Sequence, residues 1–90
     1  MLVVSYDIRN TKLRTAFSKM LQKLGGIRLQ YSVYEVVNTN RILDLIKKEI
    51  ELYYGNRFSA DDSVVIFEFD KEKVIKYGNA IHRDKDILFF

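Results

Sequence analysis

The chain contains no cysteine and no proline, and its 90 residues include four glycines and a single histidine. Without cysteine, disulfides and thiolate metal sites are excluded, and the composition fits a reducing compartment, so a cytoplasmic location is expected. With no proline, internal repeat or low-complexity stretch there is nothing that divides the chain, and one domain is expected. No glycine-rich phosphate loop, nucleophile elbow or zinc-ligand spacing is present, which leaves those enzyme classes without support. His82 lies in the charged stretch His82-Arg83-Asp84-Lys85-Asp86 with no second ligand at metal spacing, and it reads as solvated. No apolar run reaches membrane-spanning length, and the apolar start is interrupted by Asp7 and Arg9 too early for a signal peptide, so no membrane partner is expected.

What is present is an uneven charge. The net charge of +3 conceals six cations (Arg9, Lys12, Arg14, Lys19, Lys23, Arg28) against one anion, Asp7, in residues 1–30, a balance of +5; the remaining sixty residues sum to −2. A basic half of this kind is either the footprint of a polyanion, nucleic acid above all, or a solvated helix face.

Leu2 to Asp7 reads as a strand with Leu2, Val4 and Tyr6 on one face and Val3, Ser5 and Asp7 on the other. Asn10 and Thr11 can cap a helix whose apolar positions Leu13, Phe17, Met20, Leu21 and Leu24 recur at helical spacing until Gly25-Gly26 stops it. Residues 27–37 form either a tight hairpin or one bent strand. Asn38-Thr39-Asn40 opens a second helix with the stripe Ile42, Leu45, Ile46, Ile50 and Tyr53, ended by Gly55. Val64 to Phe69 is a last strand whose near-continuous apolarity implies burial on much of both faces. The order β-α-β-β-α-β predicts an α+β, ferredoxin-like antiparallel sheet with both helices on one face, over residues 1–69. Residues 70–90 form an extension ending on Ile87-Leu88-Phe89-Phe90, an apolar terminus that reads as a short strand seeking a sheet edge, exchanged in a homodimer.

The candidate chemistry centres on Asp7. An acid at the tip of a buried strand must be solvated, paired or bound to a cation. Asp7 either caps the following turn through its side chain or, in a homodimer with its axis near the strand tip, meets its own copy and forms a hard oxygen site for Mg²⁺. Arg14 and Arg28 can grip phosphate bidentately, with Lys19 and Lys23 adding sequence-independent contacts. Tyr6, Tyr31 and Tyr34 can stack on bases or fill the core. Arg14 stands in the first turn of its helix, where a cation opposes the helix dipole, which suggests a role other than stability.

Tyr6-Asp7-Ile8 at a strand end, Leu13-Arg14 opening a helix, and Arg28-Leu29-Gln30-Tyr31-Ser32-Val33-Tyr34-Glu35 resemble the Cas-two family, the small CRISPR-associated partners of the CRISPR integrase; the likeness extends through Asp62-Ser63-Val64 to about residue 69. The resemblance implies a homodimer that binds double-stranded DNA and bridges integrase subunits as a scaffold of spacer acquisition, in antiviral defence. It also implies a Mg²⁺-dependent endonuclease activity on RNA or DNA in some members. By that resemblance Asp7 is the metal-binding and catalytic acid with Tyr6 beside it, Arg14 and Arg28 are the arginines of the motif, and Tyr34 is an aromatic that is often Phe. Some relatives carry a second arginine two residues after the Arg14 position, where this chain has Ala16. The rival reading is a stand-alone, toxin-type endoribonuclease of related fold that uses the same Asp7.

Overall fold

A computed structural model of the chain describes residues 1–78. In strand β1 (Leu2–Asp7) the side chains alternate as the sequence requires, with Leu2, Val4 and Tyr6 buried beneath the helices and Asp7 exposed at the tip. Helix α1 (Thr11–Lys23) starts where the Asn10 side chain accepts the Leu13 amide at 2.9 Å. It stops on two glycines. The Gly25 amide donates to the Gln22 carbonyl at 3.0 Å and the Gly26 amide to the Leu21 carbonyl at 2.8 Å, with Gly25 in the left-handed region at φ 88°. A Cβ on Gly26 would stand 2.6 Å from the Leu21 oxygen, so neither position accepts a side chain without strain.

Strands β2 (Ile27–Gln30) and β3 (Val33–Val36) resolve residues 27–37 as a hairpin around Tyr31-Ser32. The ladder is bulged: Gln30 faces Val33, yet Arg28 faces Tyr34 and Ile27 faces Glu35. In an unbulged ladder, Arg28 would face Glu35, so the extra residue carries the arginine to the other side of the sheet.

Helix α2 (Asn40–Glu49) is capped by Thr39, whose hydroxyl accepts the Ile42 amide at 3.1 Å. The chain then widens into a π-type turn (Ile50–Tyr54) and a 3₁₀ turn (Gly55–Arg57). This widening shifts the phase of the apolar stripe by one position: Tyr53 is exposed, and Tyr54 instead sets its ring edge-on to Phe17 at 5.2 Å and donates its hydroxyl to the Ala16 carbonyl at 3.3 Å.

Strand β4 (Ser63–Glu68) pairs with β1 and completes a four-stranded antiparallel sheet in the order β2-β3-β1-β4. This is the expected ferredoxin-like α+β arrangement. Both helices contribute to one core of Leu2, Val4, Tyr6, Ile8, Leu13, Phe17, Met20, Leu21, Tyr34, Val36 and Ile46. Each large apolar side chain buried there contributes about 1.5–3 kcal/mol of transfer free energy.

The expectation that β4 buries both faces holds for one only. Val64 and Ile66 pack on the core, while Val65 and Phe67, pointing the other way, remain 47% and 46% exposed. Phe69 extends the same exposed side and lies 5.9 Å from Phe67. Nearby, Lys76 forms an ion pair with Glu35 of β3. The expected terminal strand Ile87 to Phe90, its exchange, and His82 lie outside the described residues.

Candidate nucleic-acid interface

The tip of β1 opens into the turn Ile8-Arg9-Asn10, whose polar groups have partners other than Asp7. Asn10 caps α1, and the Arg9 amide donates to Asp62 Oδ1 at 2.9 Å. The second Asp62 oxygen accepts the Ser59 amide at 2.8 Å, and these two backbone donors hold its carboxyl below the usual carboxylate range. The turn is therefore built without the Asp7 carboxylate, which projects 68% exposed with the Arg9 guanidinium 4.0 Å away. That answers the capping alternative for Asp7 and leaves its charge facing solvent.

Arg14 explains its own odd place in the first turn of α1. Its Nη1 donates to the carbonyls of Ile8 and Arg9 at 3.0 and 3.3 Å, and its Nη2 to Thr11 Oγ1 at 3.4 Å. The guanidinium thus satisfies carbonyls at the end of β1, which outweighs an unfavourable helix-dipole term of about 0.3–1 kcal/mol. On the same side of the helix, two turns on, Gln22 Nε2 donates to Tyr34 Oη at 2.9 Å. Arg28 Nε donates to the same hydroxyl at 3.3 Å, and this bond raises the guanidinium's pKa further above its already high ordinary value. Tyr34 itself is fully buried, so its part in any nucleic-acid contact runs through the arginine that its hydroxyl holds.

Tyr6 is likewise a core residue. Its ring lies edge-on to Phe17 at 4.9 Å and stacked with Tyr34 at 6.3 Å, and burial, followed by the neighbouring Tyr34, pushes its hydroxyl pKa up. A phenol so placed stays protonated near neutral pH and supplies no general base. Lys19 and Lys23 occupy a different flank of α1, lining a groove of about 420 Å³ with Ala16, Met20, Leu45 and Tyr54. The six early cations therefore do not form one patch: Arg14 and Arg28 gather at the hairpin corner, and Lys19 and Lys23 lie along the α1–α2 groove.

Among the described residues no group of three or more His, Cys, Asp or Glu side chains is placed to hold a metal ion. Asp7 by itself does not meet the oxygen-ligand demand of Mg²⁺, and the described residues of a single chain bring no cluster of further ligands to it. Sequence reasoning missed Asp62 as the latch of the β1–α1 turn and Gln22 as a partner of Tyr34; both are polar residues whose partners are brought to them by the tertiary fold, and no local pattern marks them.

The sheet order and the cationic corner define a small ferredoxin-like α+β domain with a basic hairpin edge. A family model described as CRISPR associated protein Cas2 matches residues 1–76, and the chain belongs to that family, whose role lies in CRISPR adaptation. Among solved structures, a hypothetical protein from Thermus thermophilus shares this fold, with 23% identity, 86% of this chain and 88% of that chain covered, and a TM-score of 0.70. No curated protein matches. No helix among the described residues is long and apolar enough to cross a membrane.

Proposed function

We propose that the chain acts in CRISPR adaptation as a dimeric scaffold that holds double-stranded DNA and bridges integrase subunits. The observation that carries the reading is the hairpin corner, where Arg14 and Arg28 stand together with no carboxylate within salt-bridge distance among the described residues. Such a corner attracts phosphate without reading sequence, which suits a protein that must hold DNA of arbitrary sequence. The apolar sheet face of Val65, Phe67 and Phe69 supports pairing with a second copy, since an exposed apolar patch of this kind calls for cover. A cation at Asp7 then requires the partner's Asp7 as well, and Mg²⁺-dependent cleavage of RNA or DNA is secondary to the scaffold role.

The test is a salt titration of duplex binding by fluorescence anisotropy. Affinity is expected to fall steeply with salt, and Arg14→Ala combined with Arg28→Ala should lower both affinity and the magnitude of the slope, by about two in the limit where each arginine neutralises one phosphate. An unchanged slope in the double variant removes the corner as a DNA surface. Pull-down of an integrase from the host tests the bridging role.

A further inference from the structure

Two guanidiniums share one exposed aromatic ring. The Cζ atoms of Arg14 and Arg28 lie 5.9 and 5.8 Å from the ring centroid of Tyr31, which stands at the hairpin turn and is 67% exposed. Like charges gathered at one point repel, so something must hold them there. Arg14 is tied to the end of β1 through the Ile8 and Arg9 carbonyls, and Arg28 to the Tyr34 hydroxyl. The Tyr31-Ser32 turn is itself fixed, because the Tyr6 amide donates to the Ser32 carbonyl at 3.1 Å. Arg28 also lies 5.6 Å from the buried Tyr34 ring, but among the described residues Tyr31 is the one ring within cation–π reach of both arginines.

The hydrogen bonds already made decide which guanidinium edges stay free. Arg28 spends Nε on Tyr34, which leaves its two terminal nitrogens as a bidentate fork. Arg14 commits Nη1 to the Ile8 and Arg9 carbonyls and one bond of Nη2 to Thr11, which leaves its Nε–H for a further acceptor. The Tyr31 ring is engaged by these two cations, and it is therefore poorly placed to serve as a platform for a nucleobase.

We propose that Tyr31 is a positioning residue whose ring holds the Arg14 and Arg28 guanidiniums as a two-cation clamp on neighbouring phosphates of a nucleic-acid strand. The proposal rests on the hairpin corner being the nucleic-acid surface. Tyr31 contributes orientation, and the arginines make the contacts.

The experiment measures binding of the full chain to a fluorescent duplex across a salt series for Tyr31→Leu, Tyr31→Gln, Tyr31→Phe, Arg14→Ala and Arg28→Ala, with circular dichroism and melting to verify folding. Tyr31→Leu and Tyr31→Gln are expected to bind roughly three- to tenfold more weakly, with a shallower salt slope, while Tyr31→Phe, which keeps the ring, binds as the parent does. If both arginine variants weaken binding and Tyr31→Leu and Tyr31→Gln leave it unchanged, the clamp is overturned and the corner stands as the DNA surface. If all five variants bind like the parent, the surface and the clamp both fall. Equal losses in Tyr31→Phe and Tyr31→Leu would assign the effect to the hydroxyl and also overturn the ring's role.

Discussion

The carboxylate of Asp62 accepts the backbone amide of Arg9 at 2.9 Å across 53 positions of sequence, and so fastens the loop before β4 to the turn that follows Asp7. With its other oxygen on the Ser59 amide, one side chain braces two loops at the same end of the sheet.

This latch makes stability depend on acid. The folded pKa of Asp62 is lowered from 3.8 by its two backbone donors, so its contribution is fully present above the unfolded value and is lost as pH falls through the folded one. Denaturation midpoints measured between about pH 6 and about pH 2 should fall at the acid end, and Asp62→Asn should lower the midpoint at neutral pH and remove that part of the acid dependence. An identical acid profile in parent and variant would show that the latch carries no linkage.

Tyr34→Phe keeps the buried ring and deletes the hydroxyl on which Gln22 and Arg28 converge. A stability loss of about 0.5–1.5 kcal/mol is expected from urea midpoints, together with weaker duplex binding as Arg28 loses its anchor. Full-strength binding by this variant would show that Arg28 needs no hydroxyl to hold its place.

Phe67→Glu places a charge on the uncovered sheet face without touching the core. The parent should be a dimer by light scattering and the variant a monomer with an unchanged far-ultraviolet spectrum. Truncation after Asp86, which removes the apolar terminus, should likewise yield monomer or aggregate. A parent that scatters as a monomer would contradict both expectations.

Asp7→Asn removes charge and metal affinity while preserving volume. Mg²⁺-dependent cleavage by purified protein should disappear, whereas dimerisation and spacer acquisition in cells carrying the variant persist. Lost acquisition with the dimer intact would make the chemistry at Asp7 essential.

The alternating strand β1, the helix from the Asn10 cap to the Gly25-Gly26 stop, and the element order were all legible, because each rests on local periodicity and on residues with strong backbone preferences. Helical spacing puts Tyr53 in the apolar stripe in place of Tyr54 because it assumes an unbroken α-helix, and the π-type turn adds a residue that composition does not announce. Asp7 and Arg14 were recognisable as residues at odds with their local environment. The partners of Arg14 and Asp62 were not, since the donors to Asp62 and two of the three acceptors of Arg14 are backbone groups brought together by the fold. Apolarity alone could not distinguish a β4 face that the helices cover from one left open, as Val65 and Val64 are the same residue type on opposite sides.

The bulge in β2 means that the chemistry of the hairpin corner depends on pairing register as well as on residue type. A regular ladder with Leu29 paired in it would set Arg28 against Glu35, carrying the cation from the Tyr34 side of the sheet to the Lys76 side, whereas removing Leu29 would straighten the strand and leave Arg28 opposite Tyr34. A relative that displays every tyrosine and arginine of the motif but pairs its hairpin without the bulge would therefore lack the cationic corner, a loss that no comparison of residue types at aligned positions reveals.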